Sequence, residues 1–256
     1  MKLHFDTDTG IGTAARMGLI VLEADETLEP EFTLLNQRQD ISIYHNRIKM
    51  ATQITPQTLA AMEAELPLAA GMFPDCGMDV IGYGCTSAAT VIGPARVKSA
   101  IQKTQSQAKV TEPLSALIAA CNTLGLKKIG FLTPYVPEVS KLMIQRLEEA
   151  GISITGFASF EESDDRVVAR ISPNAILNGI KAVAAAGPCD GVIAACTNLR
   201  VAQIAKQAEA EIAMPVLSSN LALAWHMMHL VGIDPKAPEF GTLMAGSSRG
   251  AHPYTV

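Results

Sequence analysis

Short apolar runs alternate along this chain with longer stretches rich in Ala, Leu and Met. The clearest runs are residues 17–22, 41–44, 80–83, 128–132, 152–157, 191–195 and 214–217. They are apolar throughout instead of alternating with polar residues, which predicts strands covered on both faces of a parallel sheet. Between them, residues 136–150, 173–186 and 200–211 predict helices. Pro137 and Pro173 stand near helix starts, where a missing N–H costs little, and Gly151 follows one helix as a stop. Strands and helices alternating at this spacing predict βαβ units and an α/β fold.

An internal repeat divides the chain. The segment from Asp79 through Cys85, Thr86 and Ser87 resembles the segment from Asp190 through Cys196, Thr197 and Asn198, 111 residues later. Each has Asp six residues before Cys and Thr just after it. A second pair aligns Gly18 with Gly130 at an offset of 112. Two pairs at nearly one offset predict two similar α/β lobes with parallel sheets, related by a pseudo-two-fold axis. The expected division is residues 1–112 plus 217–256 for one lobe and 113–216 for the other. Ligands of open α/β sheets bind beyond the carboxyl ends of strands, where both cysteines fall. The cleft between the lobes is therefore the expected site.

Composition narrows the class. With 256 residues, 48% of them hydrophobic, and a net charge of −5, disorder is excluded. A sequence pI near 5.6 argues against a nucleic-acid partner. No run approaches the roughly 18 apolar residues of a membrane span. The polar start of the chain, residues 1–16, lacks the apolar region of a signal peptide. The expectation is a cytoplasmic protein with reduced thiols, and five cysteines are an odd number for a disulfide framework.

Cys85 and Cys196 each end an apolar strand, with Thr next and a predicted helix after it. Backbone N–H groups at such a helix start, with the Thr86, Ser87 and Thr197 hydroxyls, predict a cradle for a carboxylate or enolate oxygen. The helix start is also expected to lower the thiol pKa. Two such thiols on opposite sides of a carboxylate-bearing carbon allow two-base proton transfer. Alternatively, one thiolate adds to an activated double bond and the other thiol supplies a proton. Cys76, Cys121 and Cys189 are expected to be packing residues, with Cys76 in a loop that can be exposed.

The segments Gly84–Ser87, Leu132–Tyr135, Ala195–Asn198 and Pro215–Asn220 resemble the aspartate/glutamate racemase superfamily. Within it, the similarity is to the branch of maleate cis-trans isomerase, arylmalonate decarboxylase and the EutA-type proteins of ectoine utilisation. It extends over nearly the whole chain after Arg16. This resemblance implies that the two lobes are Rossmann-like, and that the chain is a cofactor-independent isomerase or racemase, with no metal and no organic cofactor. It also implies a small carboxylate substrate between the lobes and a homo-oligomer. Cys85 and Cys196 match the two catalytic thiols. Thr86, Ser87 and Thr197 match carboxylate-binding positions, with Asn198 beside them in the same motif, and Tyr135 matches a tyrosine that donates to a substrate carboxylate.

The chain departs from the pattern in two places. The isomerases carry asparagines where Asp25 and Asp165 stand here. Asn donates to a carboxylate, whereas ionised Asp only accepts, so the change disfavours maleate and suits an ammonium or N–H group on the substrate. Asp25, Glu26, Asp164 and Asp165 also read as ordinary helix N-terminal acids. The decarboxylases carry Gly at the position of Cys85, so two thiols argue against decarboxylation. A binding module that holds a carboxylate without turning it over is the other reading.

His226 and His229 have helical spacing suited to a metal, but read better as histidines packed around Trp225. The acidic run 23–31 lacks the spacing of a calcium loop and reads as a solvated helix face.

Overall fold

Among the described residues, eight strands, all paired in parallel, build two sheets of four. The computed structural model describes residues 1–51 and 55–246. The first sheet contains β1 (Ala15–Leu22), β2 (Ile41–Ile48), β3 (Val80–Gly84) and β4 (Lys109–Thr111), in the order β2-β1-β3-β4. The second contains β5 (Lys128–Thr133), β6 (Ser153–Ser159), β7 (Gly191–Ala194) and β8 (Val216–Ser218), in the order β6-β5-β7-β8. Each strand of the second sheet occupies the place of the strand four earlier.

Helices of the first half are α1 (Leu28–Leu35), α2 (Pro56–Ala61), α3 (Leu66–Gly71), α4 (Thr86–Ile92) and α5 (Pro94–Gln102). Those of the second are α6 (Pro113–Leu124), α7 (Pro137–Glu149), α8 (Asp165–Val168), α9 (Pro173–Ala185), α10 (Ala205–Ile212) and α11 (Ser219–Leu230). Helices α6 and α11 pack on each other, and α11 also touches β3, β4 and β8. It is buried on nearly every side: Ser219 to Met228 are buried except His226. One apolar core runs from Met17, Leu19 and Val21 of β1 through α6 and α11 to β5 and β7. The alternate residues Ile20 and Leu22 face a second core under α3, α4 and α5.

The repeat has a physical basis. Asp79 Oδ2 accepts the Arg16 N–H at 2.8 Å, and Asp190 Oδ2 accepts those of Lys127 and Lys128 at 3.0 and 2.8 Å. Each repeated Asp thus pins the start of the neighbouring strand, at the end of the sheet away from its cysteine. Gly18 and Gly130 leave room for close neighbours. A Cβ on Gly18 would meet the Phe73 ring at 2.8 Å, and one on Gly130 the Val183 carbonyl oxygen at 3.0 Å.

Three expectations need correction. Strand β4 was not foreseen, because three residues, one exposed and one half-buried, carry no readable pattern. Coverage on both faces holds for the inner strands; β2 and β6 are edge strands with alternating or partial exposure. The helix expected from residue 200 begins at Ala205, after an irregular buried loop. Among the described residues, no helix is long and apolar enough to cross a membrane.

Candidate active site

In each sheet the chain leaves the two central strands toward opposite sides. The loops after β1, β3, β5 and β7 therefore gather at two topological switch points. Cys85 follows β3 as the N-cap of α4, accepting the Ala88 N–H at 3.4 Å, with Ser87 Oγ at 3.6 Å. Cys196 follows β7, and its Sγ accepts the Asn198 N–H at 3.3 Å. The Tyr135 hydroxyl, after β5, also hydrogen-bonds Cys196.

Cys85, Ser87, Tyr135, Asp165, Cys196 and Thr197 line one cavity of about 10 Å³, with room for about one water. Leu22, Met50 and Leu59 complete the wall. Sequence reasoning missed these three; as apolar residues they had no signal separating them from the core. Among the described residues, the lining contains no Lys, Arg or His.

Three foreseen residues lie outside the lining. Thr86 is turned toward α11, where its hydroxyl meets Ser219 Oγ at 2.8 Å. Asn198 spends its side chain on the protein. Its Oδ1 accepts the Glu26 N–H at 3.0 Å, and its Nδ2 donates to the Asp165 carbonyl and carboxylate at 3.0 and 3.1 Å. Asp25 Oδ1 accepts the N–H groups of Thr27 and Leu28 at 2.8 and 2.7 Å, so it does serve the start of α1. Its Oδ2 is buried without a well-formed hydrogen bond, although the nearby Thr197 hydroxyl favours the ionised form. Arg47 of β2 fixes this loop from outside, donating to the carbonyls of Leu22, Glu23 and Asp25 and pairing with Glu29.

Electrostatics reverse one expectation. Burial pushes the Cys85 thiol up to about 11, and raises Cys196 well above its ordinary value. The nearby Asp165 and Asp25 charges add to both shifts, while N–H and hydroxyl donors oppose them. A helix follows only Cys85, and its start does not outweigh burial. Both thiols are therefore protonated in the resting protein. Asp165 is itself raised to about 7 by burial and by the Asp25 charge, and burial also raises Asp25.

The acidic run 23–31 is not a uniformly solvated face. Asp25 and Glu31 are 2% and 4% exposed. His226 is half-buried and bonded to Thr111 Oγ1 at 2.7 Å, whereas His229 is exposed and stacks on Trp225. Among the described residues, no three His, Cys, Asp or Glu side chains are grouped to hold a metal ion.

This chain is similar to known proteins over nearly its whole length. It is 26% identical to a maleate isomerase of Pseudomonas putida over 245 residues, covering 91% of this chain and 98% of the relative. It is 27% identical to a maleate isomerase of Nocardia farcinica over 243 residues, covering 91% and 96%. The solved structure of a Nocardia farcinica maleate cis-trans isomerase, a cysteine-to-serine mutant with a covalently bound succinylcysteine intermediate, superposes with a TM-score of 0.81. That match has 25% identity and covers 90% of this chain and 98% of the other. An arylmalonate decarboxylase structure superposes with a TM-score of 0.73 at 21% identity, covering 91% and 100%. The family model described as arylmalonate decarboxylase matches residues 17–244, and the chain belongs to that family.

Proposed function

We propose that this protein is a maleate isomerase-like, cofactor-independent enzyme acting on a small unsaturated carboxylate through Cys85 and Cys196. One observation carries the reading: thiols from two different sheets line one small cavity, with a tyrosine and two hydroxyls between them. Similarity to maleate isomerases supports it.

The chemistry follows from two protonated thiols. The sulfur of one cysteine bonds to an olefinic carbon, and the other cysteine gives its proton to the adjacent carbon. The proton of the first thiol passes to the sulfur of the second. The net change is addition of S–H across the double bond, leaving a carbon–carbon single bond that rotates. Reversing the steps breaks the C–S bond and returns both protons, releasing the trans alkene. A succinylcysteine, as captured in the Nocardia farcinica protein, is the adduct this route makes from maleate. In this reading the lining hydroxyls of Ser87, Thr197 and Tyr135 turn to donate to substrate carboxylates, which stabilises charge building on the carboxylate next to the reacting carbon. Two thiols in the cavity weigh against decarboxylation, which needs one proton donor.

A second reading is an amino- or imino-carboxylate substrate. Asp165 in a lining without a cation favours it. Proton NMR in D₂O with maleate and, separately, aspartate and glutamate distinguishes the two by product and by the carbon that gains deuterium. Cys85→Ala and Cys196→Ala should each slow turnover by about 10²–10⁴-fold. Full activity in both single variants would sink the two-thiol mechanism.

A further inference from the structure

Helix α1 buries Leu28, Glu31, Phe32 and Leu35, the spacing of a single apolar face. Glu31 is the exception in chemistry, a carboxylic acid where a leucine would be buried at less cost. Its Oε1 accepts the Ala202 N–H at 2.9 Å, in the loop that follows Cys196. Its Oε2 accepts from Asn220 Nδ2 at 2.8 Å, at the start of α11. The same Nδ2 donates its second hydrogen to the Thr197 carbonyl at 2.8 Å. Asn220 is fully buried, and its Oδ1 has no partner. The amide is therefore held in one orientation by its two donated bonds, and Glu31 receives one of them.

Among the described residues, the groups that favour its charge are Asn220 and backbone N–H groups, not a cation, and Asp25 opposes it. Burial without a counter-ion pushes it to about 7. Such a group is costly to the fold, and removing a partner from a buried polar network leaves the rest unsatisfied. One of the three contacts reaches the turn that presents Cys196 and Thr197 to the cavity, through the Thr197 carbonyl, and another holds Ala202 in the loop that follows it. Cys85 has no part in this network.

We propose that Glu31, acting through Asn220, is a positioning residue for the Cys196–Thr197 turn. The carboxylate orients the Asn220 amide, and the amide holds the Thr197 carbonyl, which sets where Cys196 Sγ and the Thr197 hydroxyl stand in the cavity. Separate ties from Glu26 and Thr27, just before α1, reach Asn198 of the same turn at 3.0 and 3.1 Å. Loss of Glu31 therefore shifts the turn without separating the two halves. The effect on turnover rests on Cys196 being a working thiol, whereas the position of the turn is measurable without any substrate.

The test reads alkylation of each cysteine by iodoacetamide, resolved by mass spectrometry, in Glu31→Gln and Asn220→Ala. Glu31→Gln keeps only one of the two accepting oxygens, so the new amide N–H₂ faces either the Asn220 N–H₂ or the Ala202 N–H, donor against donor. Cys196 labelling should change by about tenfold, with Cys85 within about twofold of wild type. The double variant Glu31→Gln/Asn220→Asp restores the bond between the two side chains with donor and acceptor exchanged. It cannot restore the bond to the Thr197 carbonyl, since a carboxylate only accepts. Its thermal midpoint should recover toward wild type while Cys196 labelling stays altered. Unchanged Cys196 labelling in Asn220→Ala, equal changes at both cysteines, or full recovery of labelling in the double variant would overturn the proposal. If maleate is turned over, the kcat should fall in both single variants with KM within about threefold, as for a group that acts on geometry of the reacting site. Absence of turnover on any carboxylate in the wild type would count against the enzyme reading and leave the labelling result decisive for the turn.

Discussion

Asn198 donates its side-chain amide to the Asp165 carboxylate at 3.1 Å while its backbone N–H donates to Cys196 Sγ at 3.3 Å. One residue thus couples the acid in the cavity to a thiol. The Asp165 charge is the second cause, after burial, of the high Cys196 pKa, and it also raises Cys85. Asp165→Asn removes that charge and keeps the size of the side chain. Both thiols should then titrate at lower pH, Cys196 by more. The thiolate absorbance near 240 nm, followed against pH in single-cysteine backgrounds, checks this; an upward shift at either thiol would contradict it.

The same acid should govern how a diacid binds. Asp165 titrates near 7, so below that pH it carries a proton and can donate to a substrate carboxylate. Above it, the carboxylate repels a dianion inside a cavity whose described lining residues include no cation. Maleate binding should weaken as pH rises through about 7, and Asp165→Asn should bind more tightly and flatten this dependence. Calorimetric titration from pH 6 to pH 8.5, roughly one unit either side of that value, makes the comparison.

Stability should carry a related signature. Glu31 is raised from 4.5 to about 7 in the folded chain. Between those values the folded state binds more protons than the unfolded state, so stability falls as pH rises. The contribution is full below about 4.5 and lost above about 7. Glu31→Gln should remove part of this slope, read as the thermal midpoint against pH. A midpoint that rises across the same window in wild type, and more steeply than in the variant, would contradict the assignment.

The repeated aspartates make a contrasting case. Asp190 sits at the far end of β7 from Cys196 and holds two backbone N–H groups. Asp190→Ala should cost about 1 kcal/mol of stability, the range of a hydrogen bond at a solvated site. Its kcat should match wild type, since nothing in the cavity touches it. A large loss of turnover at unchanged stability would point to a role that the structure does not assign.

What was legible in the chain depended on how local its cause was. Cys85 and Cys196 stood out because a duplicated strand-Cys-Thr segment is a local pattern, and the inner strands because their apolar runs are continuous. The orientation of Thr86 was not legible: Ser219, which engages its hydroxyl, lies 133 residues away. The thiol pKa values went the other way from the helix-start argument because burial is set by the whole fold. Glu31 had a readable sign that pattern reasoning passed over. Its neighbours Leu28, Phe32 and Leu35 define an apolar face that includes it, yet an acidic run reads as solvated until the helix is placed.

Gly130 offers a test of why the two halves share their spacing. It lies in β5, paired with Gly156 on one side and Val192 on the other, so its strand is fixed in the middle of the sheet. A Cβ there would stand 3.0 Å from the Val183 carbonyl oxygen and 3.1 Å from its carbonyl carbon, both backbone atoms of α9. A Cβ on Gly18 would meet side chains instead, the tip of the Phe73 ring at 2.8 and 2.9 Å and Ile81 Cγ1 at 3.1 Å. A side chain can rotate or shift, whereas moving the α9 backbone disturbs its packing on β5, β6 and β7. Gly130→Ala should therefore destabilise the protein by about 2–3 kcal/mol and Gly18→Ala by about 1–2 kcal/mol, within the range for overpacked cores. Urea unfolding of both variants checks the order. A Gly18→Ala cost larger than that of Gly130→Ala would show that the aromatic ring, not the helix backbone, is the less yielding neighbour.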